Sequence, residues 1–402
     1  MKKDKRSLDW SSQQFRHVVF HLSYFGWNYS GLAMQTETGN TIENKLQDAL
    51  RATSLIPPTA KLTDMAYTRA GRTDAGVSAS KQIISLFIRS KQKLPETCVG
   101  YTPQKDSFKA APPPWQAAEP PRYFYEEHEK ELFLDELDYI SAINSKLPAD
   151  IRVLSWAPAP LDFNARFCAD SRTYEYTIDK AQLNLEKMSE AAKKFLGEHD
   201  FRNFCKMDLE NVNSFIRQVH SIQLLEEHRA LVIRITGSAF LWHQVRCMVS
   251  LLLMIGQCHE EPELIDQLLD LKIYPSKPNY TMAADYPLCL VDTEFKLFDF
   301  GLSKSALNMG ALLIHAHREK AALLTKALQW EALINRHLNN ASMIREDHNL
   351  VFWEDHVQSN PIYTSPAFYP VTLVSPTTKH QKIADRPRDP SYEEKMAKRR
   401  RD

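Results

Sequence analysis

The chain has 402 residues, of which 43% are hydrophobic and 25% charged, and fifty basic residues balance fifty acidic ones. That length allows two or three domains, and the composition is ordinary for a globular protein; no stretch approaches the roughly 20 consecutive apolar residues of a spanning helix. Neutral net charge excludes strong overall basicity but not a local basic groove, so nucleic-acid binding stays open.

Met1 to Arg6 is polar and lacks the apolar run of a signal peptide, which predicts a cytoplasmic or nuclear protein. The six cysteines stand singly, without C-x-x-C or Cys/His zinc spacing, and read as idle thiols in a reducing compartment.

Residues 1–15 read as a flexible tail. His17–Tyr24 alternates, with Val18, Phe20, Leu22 and Tyr24 on one face of a strand, and Phe25–Gly31 is a loop. Asn40 is the expected N-cap of a helix, with Glu43 completing a capping box and Ile42, Leu46, Ala49 and Leu50 as its apolar stripe. Gln82–Ile88 reads as a buried strand. Prolines then crowd residues 91–122, which predicts a long surface insertion in a first lobe of residues 16–150.

A second lobe, residues 151–300, follows a helical segment near Asp135–Leu147. Strands are expected at Ile151–Trp156 and Thr173–Ile178, and a helix from Met188 ends on Gly197. Val219–Leu225 and Ala230–Thr236 form a β pair, and Leu241–Gly256 reads as a capped helix burying Leu241, Val245, Met248, Leu252 and Ile255. Residues 301–345 carry a helical extension, with one long helical pattern from Lys304 to about Leu338. Residues 346–402 read as an irregular tail ending Lys398-Arg399-Arg400-Arg401-Asp402, a nuclear signal, an RNA-touching arm or a solvated terminus. Strands and helices in mixed order, without Rossmann or P-loop glycines, indicate an α+β body with antiparallel sheet.

The chemistry concentrates in Gly71-Arg72-Thr73-Asp74-Ala75-Gly76-Val77. A carboxylate in a glycine turn at a strand edge is rigidly placed, and Arg72 two residues away can keep it ionised. A fixed carboxylate suits nucleophilic attack at a sugar carbon or an electrophilic base, although the same residues also make an ordinary hydrogen-bonded turn. Tyr174, sharing a strand face with Tyr176, is either a core tyrosine or a stacking platform, and Arg246 on an apolar helix needs a partner or a route to solvent.

The heptapeptide resembles the signature of the TruA-like tRNA pseudouridine synthases. Four further segments fit that family in order: Tyr24–Gly31, Phe163–Phe167 with Arg172–Tyr176, Gly197–Phe201 and Phe240–Arg246. The resemblance covers about residues 16–298 outside the insertion. It implies a two-lobed pseudouridine synthase fold, a largely antiparallel mixed sheet flanked by helices with the active cleft between the lobes. It implies Asp74 as nucleophile, Tyr174 stacking on the flipped uracil, Arg246 pairing with Asp74, and Arg72 filling the space the base vacates. It implies tRNA as substrate and a homodimer whose subunits one tRNA can span; no cofactor and no metal are expected.

Phe204–Asp208, His243–Met248 and Ala284–Leu288 resemble the eukaryotic enzymes acting at tRNA positions 38/39. That subgroup usually carries Lys after the catalytic Asp, where this chain has Ala75, as in bacterial relatives. RNA contacts are expected from Lys81, Arg89, Lys91, Arg166, Arg172 and His243. Alternatives are the same chemistry on another tRNA position or RNA, and a non-catalytic RNA chaperone on this fold.

Overall fold

A computed structural model describes residues 8–92, 136–180, 183–296, 313–330 and 381–399, except 210, 211, 213, 228 and 229, with a few short backbone stretches elsewhere. The proline-rich insertion lies almost wholly outside the described residues. The fold is α+β with largely antiparallel sheet, in two compact units: 1–172 with 290–315, and 173–289 with 316–402.

In the first unit, β1 (Gln14–Tyr24) is followed by α1 (Ile42–Ala52), β2 (Thr68–Arg69) and β3 (Ser78–Ser90). Then come α2 (Tyr139–Asn144), β4 (Ile151–Pro158) and the start of β5 (Ser171–Asp179). β1 is central, antiparallel to both β3 and β4, with Phe20 opposite Ile84 and Trp156. The division expected at 150/151 therefore falls inside this unit, because β4 completes the sheet around β1. Alternation also fails along β1: His17 and Val19 are as buried as Val18 and Phe20. Both faces of the strand are covered, the second by Ile83, Ala159, Phe163, Ala165 and Cys168.

The first helix begins one residue later than expected. Thr41, fully buried, caps it by accepting from Asn44 N at 3.2 Å. Asn40 instead donates its amide to Asn28 O at 2.7 Å, and Glu43 turns inward to Arg69 rather than back to a cap. The predicted stripe of Ile42, Leu46, Ala49 and Leu50 is buried.

The second unit contains most of β5, then α3 (Leu185–Lys194), β6 (Gly197–Asp200), β7 (Ile216–Glu227) and β8 (Ala230–Gly237). α4 (Gln244–Gly256) and α5 (Glu263–Leu269) follow, and β9 (Leu288–Glu294) leads back to the first unit. The strand order here is β5-β8-β7-β6, with β7 antiparallel to both β8 and β6. α3 stops at Lys194, and Gly197, with φ of +98°, opens β6 instead of capping a helix. α4 starts at Gln244, not Leu241; every residue in it but Arg246 is buried, so it is a central helix and not an amphipathic one.

Lys304 is not helical: Ser303–Lys304 forms β10, antiparallel to β4. Residues 313–330 are helical, within the long pattern expected there. The final stretch departs from an irregular tail. Residues 381–399 hold a 3-10 turn with fully buried Ile383, then a C-terminal helix, Tyr392–Arg399. Ile383 N donates to Glu260 at 2.8 Å and Arg388 stacks on Tyr274, side-chain contacts that local periodicity cannot reveal.

Candidate active site

Asp74 opens a four-residue turn in the first unit. Val77 N donates to Asp74 O at 3.2 Å, and Gly76 has φ of +77° at the third position, as a type II turn requires. The loop after β1 wraps this turn. Gly76 N donates to Tyr29 O at 3.2 Å, Leu32 N to Thr73 O at 3.1 Å, and Gly26 N to Ser78 Oγ at 3.0 Å. A Cβ on Gly26 would stand 1.9 Å from Val77 O, so no side chain fits there without moving the turn. That close approach explains Gly26 within Tyr24–Gly31.

Side chains brace the same turn from below. Tyr24 and Thr73 share a buried hydroxyl–hydroxyl bond of 2.7 Å. Gln82 clamps Gly71, accepting from its N at 3.3 Å and donating to its O at 2.9 Å. The register slips between β1 and β3 next to Tyr24, a bulge at the end of β3 that leads from the turn. Beneath lie Glu43 and Arg69, ion-paired, with Glu43 also accepting from Met34 N at 2.9 Å. Burial and Glu43 push the Tyr67 phenol well above its ordinary value. Asp74 itself is half-buried and Arg72 exposed.

Sequence reasoning passed over Tyr24, Gln82 and Glu43 as bracing groups. A signal existed for two of them: Gln82 is polar within an apolar strand, and Glu43 falls on the buried side of α1.

The expected RNA contacts divide. Arg172 is buried and donates to backbone carbonyls of Ala70 (2.8 Å), Ala169 (2.9 Å) and Arg166 (2.5 Å), so it ties segments together rather than facing RNA. Lys81 pairs with Asp292 at 2.5 Å on β9. Arg89 donates to Ser54 O at 2.7 Å. Lys91 gives its backbone N–H to Glu136. Arg166 is exposed, its guanidinium 5.5 Å from the ring of Phe167, itself exposed.

In the second unit, Tyr174 is buried with its ring edge-on to Phe240 at 5.5 Å. Arg246 donates from Nε to Ala283 O at 2.8 Å and lies 4.0 Å from Asp285, while Ala283 N donates back to Arg246 O. Lys206 N donates to Trp242 O at 3.0 Å. The three segments Phe204–Asp208, His243–Met248 and Ala284–Leu288 therefore converge within this unit. His243 sits before α4 at φ of +66°. Burial, helped by the charges of Arg246, Lys206 and Lys277, depresses its pKa to about 4, which makes it a neutral imidazole at pH 7.

Residues 191–296 match a family model described as tRNA pseudouridine synthase. The probable tRNA pseudouridine synthase tag-124 of Caenorhabditis elegans is 39% identical over 311 residues, 74% of this chain and 71% of the worm protein. The chain belongs to the TruA-like family of tRNA pseudouridine synthases. Within it, the tRNA pseudouridine(38/39) synthase of Homo sapiens is 40% identical over 307 residues, 73% of this chain and 58% of the human protein. That of Saccharomyces cerevisiae is 37% identical over 305 residues, 74% of this chain and 62% of the yeast protein. The chain thus spans less than two thirds of the length of either. A solved Cbf5–Nop10–Gar1 complex matches at a TM-score of 0.26 and 13% identity, over 59% of this chain and 45% of that one, too slight a likeness to bear on the fold.

Proposed function

We propose that this chain isomerises uridine to pseudouridine at positions 38 and 39 of the tRNA anticodon stem-loop, with Asp74 as nucleophile. The observation that carries the reading is the Asp74 turn, held by backbone bonds from the loop after β1 and by Tyr24 and Gln82. Preorganisation of that kind is what a reacting carboxylate needs, since misplacement by about 1 Å can cost two orders of magnitude in rate. Relatives named for positions 38/39 support the target.

The reaction breaks the N1–C1′ bond, rotates the base and forms C5–C1′, and the C5 proton is exchanged for one on N1. Electrons balance without a redox partner, so the chemistry requires no cofactor. The uridine must first leave its stack, at a cost of a few kcal/mol that is lowest in a loop or at a stem end. Asp74 then attacks C1′, adds to C6, or takes the C2′ proton to give a glycal. Tyr174 stacks on the flipped uracil and assists loss of the C5 proton, Arg246 holds the carboxylate, and Arg72 fills the vacated space. Exposed Arg166 is suited to a phosphate contact, as is Lys81 if RNA displaces Asp292; neutral His243 can donate a hydrogen bond without adding charge. A homodimer spanned by one tRNA, working in the cytoplasm or nucleus, completes the reading.

The test is site-mapped pseudouridine on a tRNA transcript bearing U38 and U39. Wild type should modify those positions and Asp74→Ala should modify none. Binding by wild type with every uridine unchanged would overturn the catalytic reading; modification elsewhere only would move the target.

A further inference from the structure

The basic end of the chain has no part in the chemistry above, yet the fold places it against a particular surface of the second unit. The C-terminal helix sorts its charges. Glu394 accepts from Ser391 N at 2.7 Å while Ser391 Oγ accepts from Glu394 N at 3.1 Å, and Glu393 lies 3.6 Å from Arg202. The two acids are thus engaged at the N-terminal turn, where the helix dipole favours them. Lys395, Lys398 and Arg399 follow, the last two exposed.

The helix is anchored. Tyr392 meets the buried Phe215 edge-on at 5.5 Å, Lys395 Nζ reaches Met207 Sδ at 3.8 Å, and Arg399 donates to Leu209 O at 3.2 Å. The segment it lies along begins with Lys206, whose ammonium stands 4.3 Å above the ring of Trp242. Trp242 is 43% exposed and Lys206 is exposed. Acidic groups nearby are Asp208 on the same segment and Asp389, 3.8 Å from Lys395.

We propose that Lys206, Trp242 and the basic C-terminal helix form one docking surface for the phosphate backbone of the tRNA. Cations spaced along a rigid helix beside an exposed indole match RNA, whose phosphates take the charges and whose unstacked bases take the ring. What lets an electrically neutral protein hold a polyanion here is the sorting of charge along the helix, with its acids at the N-terminal turn and Lys398 and Arg399 exposed at the other end. The inference rests on the reading of the protein as a tRNA enzyme.

The experiment measures binding of fluorescently labelled tRNA to the full chain across a salt series, with pseudouridine mapping of wild type in parallel. Lys206→Ala/Lys398→Ala should weaken binding roughly ten-fold near physiological salt and lower the slope of log K against log[salt] by about 2, near one per phosphate contact. Lys398→Arg should keep the slope, and Tyr392→Ala, which releases the helix, should weaken binding as the charge removals do. Unchanged affinity and slope in the double variant overturn the proposal. So does weaker binding at an unchanged slope, which signals distortion and not lost phosphate contacts. Wild type that binds tRNA but converts no uridine sinks the catalytic reading alone; wild type that binds no tRNA sinks both.

Discussion

The two units solve the problem of holding a candidate site residue by different physical means. In the first, the Asp74 turn rests on directional polar contacts: Tyr24 with Thr73, Gln82 with Gly71, Glu43 with Arg69. Deeper still, Arg16 and Glu136, both essentially without solvent exposure, lie 3.7 Å apart, and Glu136 also accepts from Ser90 Oγ at 2.5 Å. In the second, Arg246 rides on α4, a helix buried on all sides by apolar packing. Hydrogen bonds fix angle and distance, which a bent loop lacks on its own. A helix has its geometry already and needs only to be gripped.

The contrast predicts different vulnerabilities. Removing a buried charge in the first unit should cost most: Glu136→Ala leaves Arg16 without its carboxylate and should lower stability by about 4 kcal/mol in urea unfolding. In the second unit volume should matter more, and Leu252→Ala, at a fully buried site, is expected to cost roughly 3 kcal/mol. A loss much below 2 kcal/mol would mean that α4 collapses around the gap and is gripped less tightly than its burial implies.

Acid should single out the first unit. His17 is buried, its Nδ1 donates to Pro160 O at 2.6 Å, and burial lowers its pKa from 6.5 to about 4. Below pH 6.5 the unfolded chain takes up a proton that the folded chain refuses. Stability attributable to His17 is therefore present above pH 6.5 and lost on descent to about pH 4, roughly 3 kcal/mol in all. A His17→Gln variant whose stability falls just as steeply over that window would assign the loss to other groups. The smallest effect on stability should come from Tyr24→Phe, about 1 kcal/mol. Its informative readout is kinetic: kcat down about five-fold with KM unchanged if Tyr24 positions the turn, and both unchanged if it only fills space.

What the sequence made legible follows the same division. Elements fixed by local periodicity, such as α1, β3 and the β7–β8 hairpin, were readable from short windows. The cap of α1 was not, because Asn40 is drawn to Asn28 O and leaves Thr41 the role. The alternation along β1 misled, since a strand covered on both faces carries no period. The residue types around the chemistry were conspicuous, but partners far along the chain were not: nothing local to Arg172 announces Ala70 O, and nothing local to Arg246 announces Asp285. The C-terminal helix was hidden for the same reason, as its anchors Phe215 and Met207 lie some 180 positions earlier.

That return of the chain has a consequence for genetics. Ile383 is fully buried, and Glu260 is covered by its N–H and by Lys382, which also donates to His259 O. A stop codon at position 382 would therefore remove the packing of Ile383 and two contacts of the buried Glu260 carboxylate, rather than trim a disposable end. Such an allele should behave as a loss of protein abundance, and a reading frame judged intact because its family motifs survive would be misjudged.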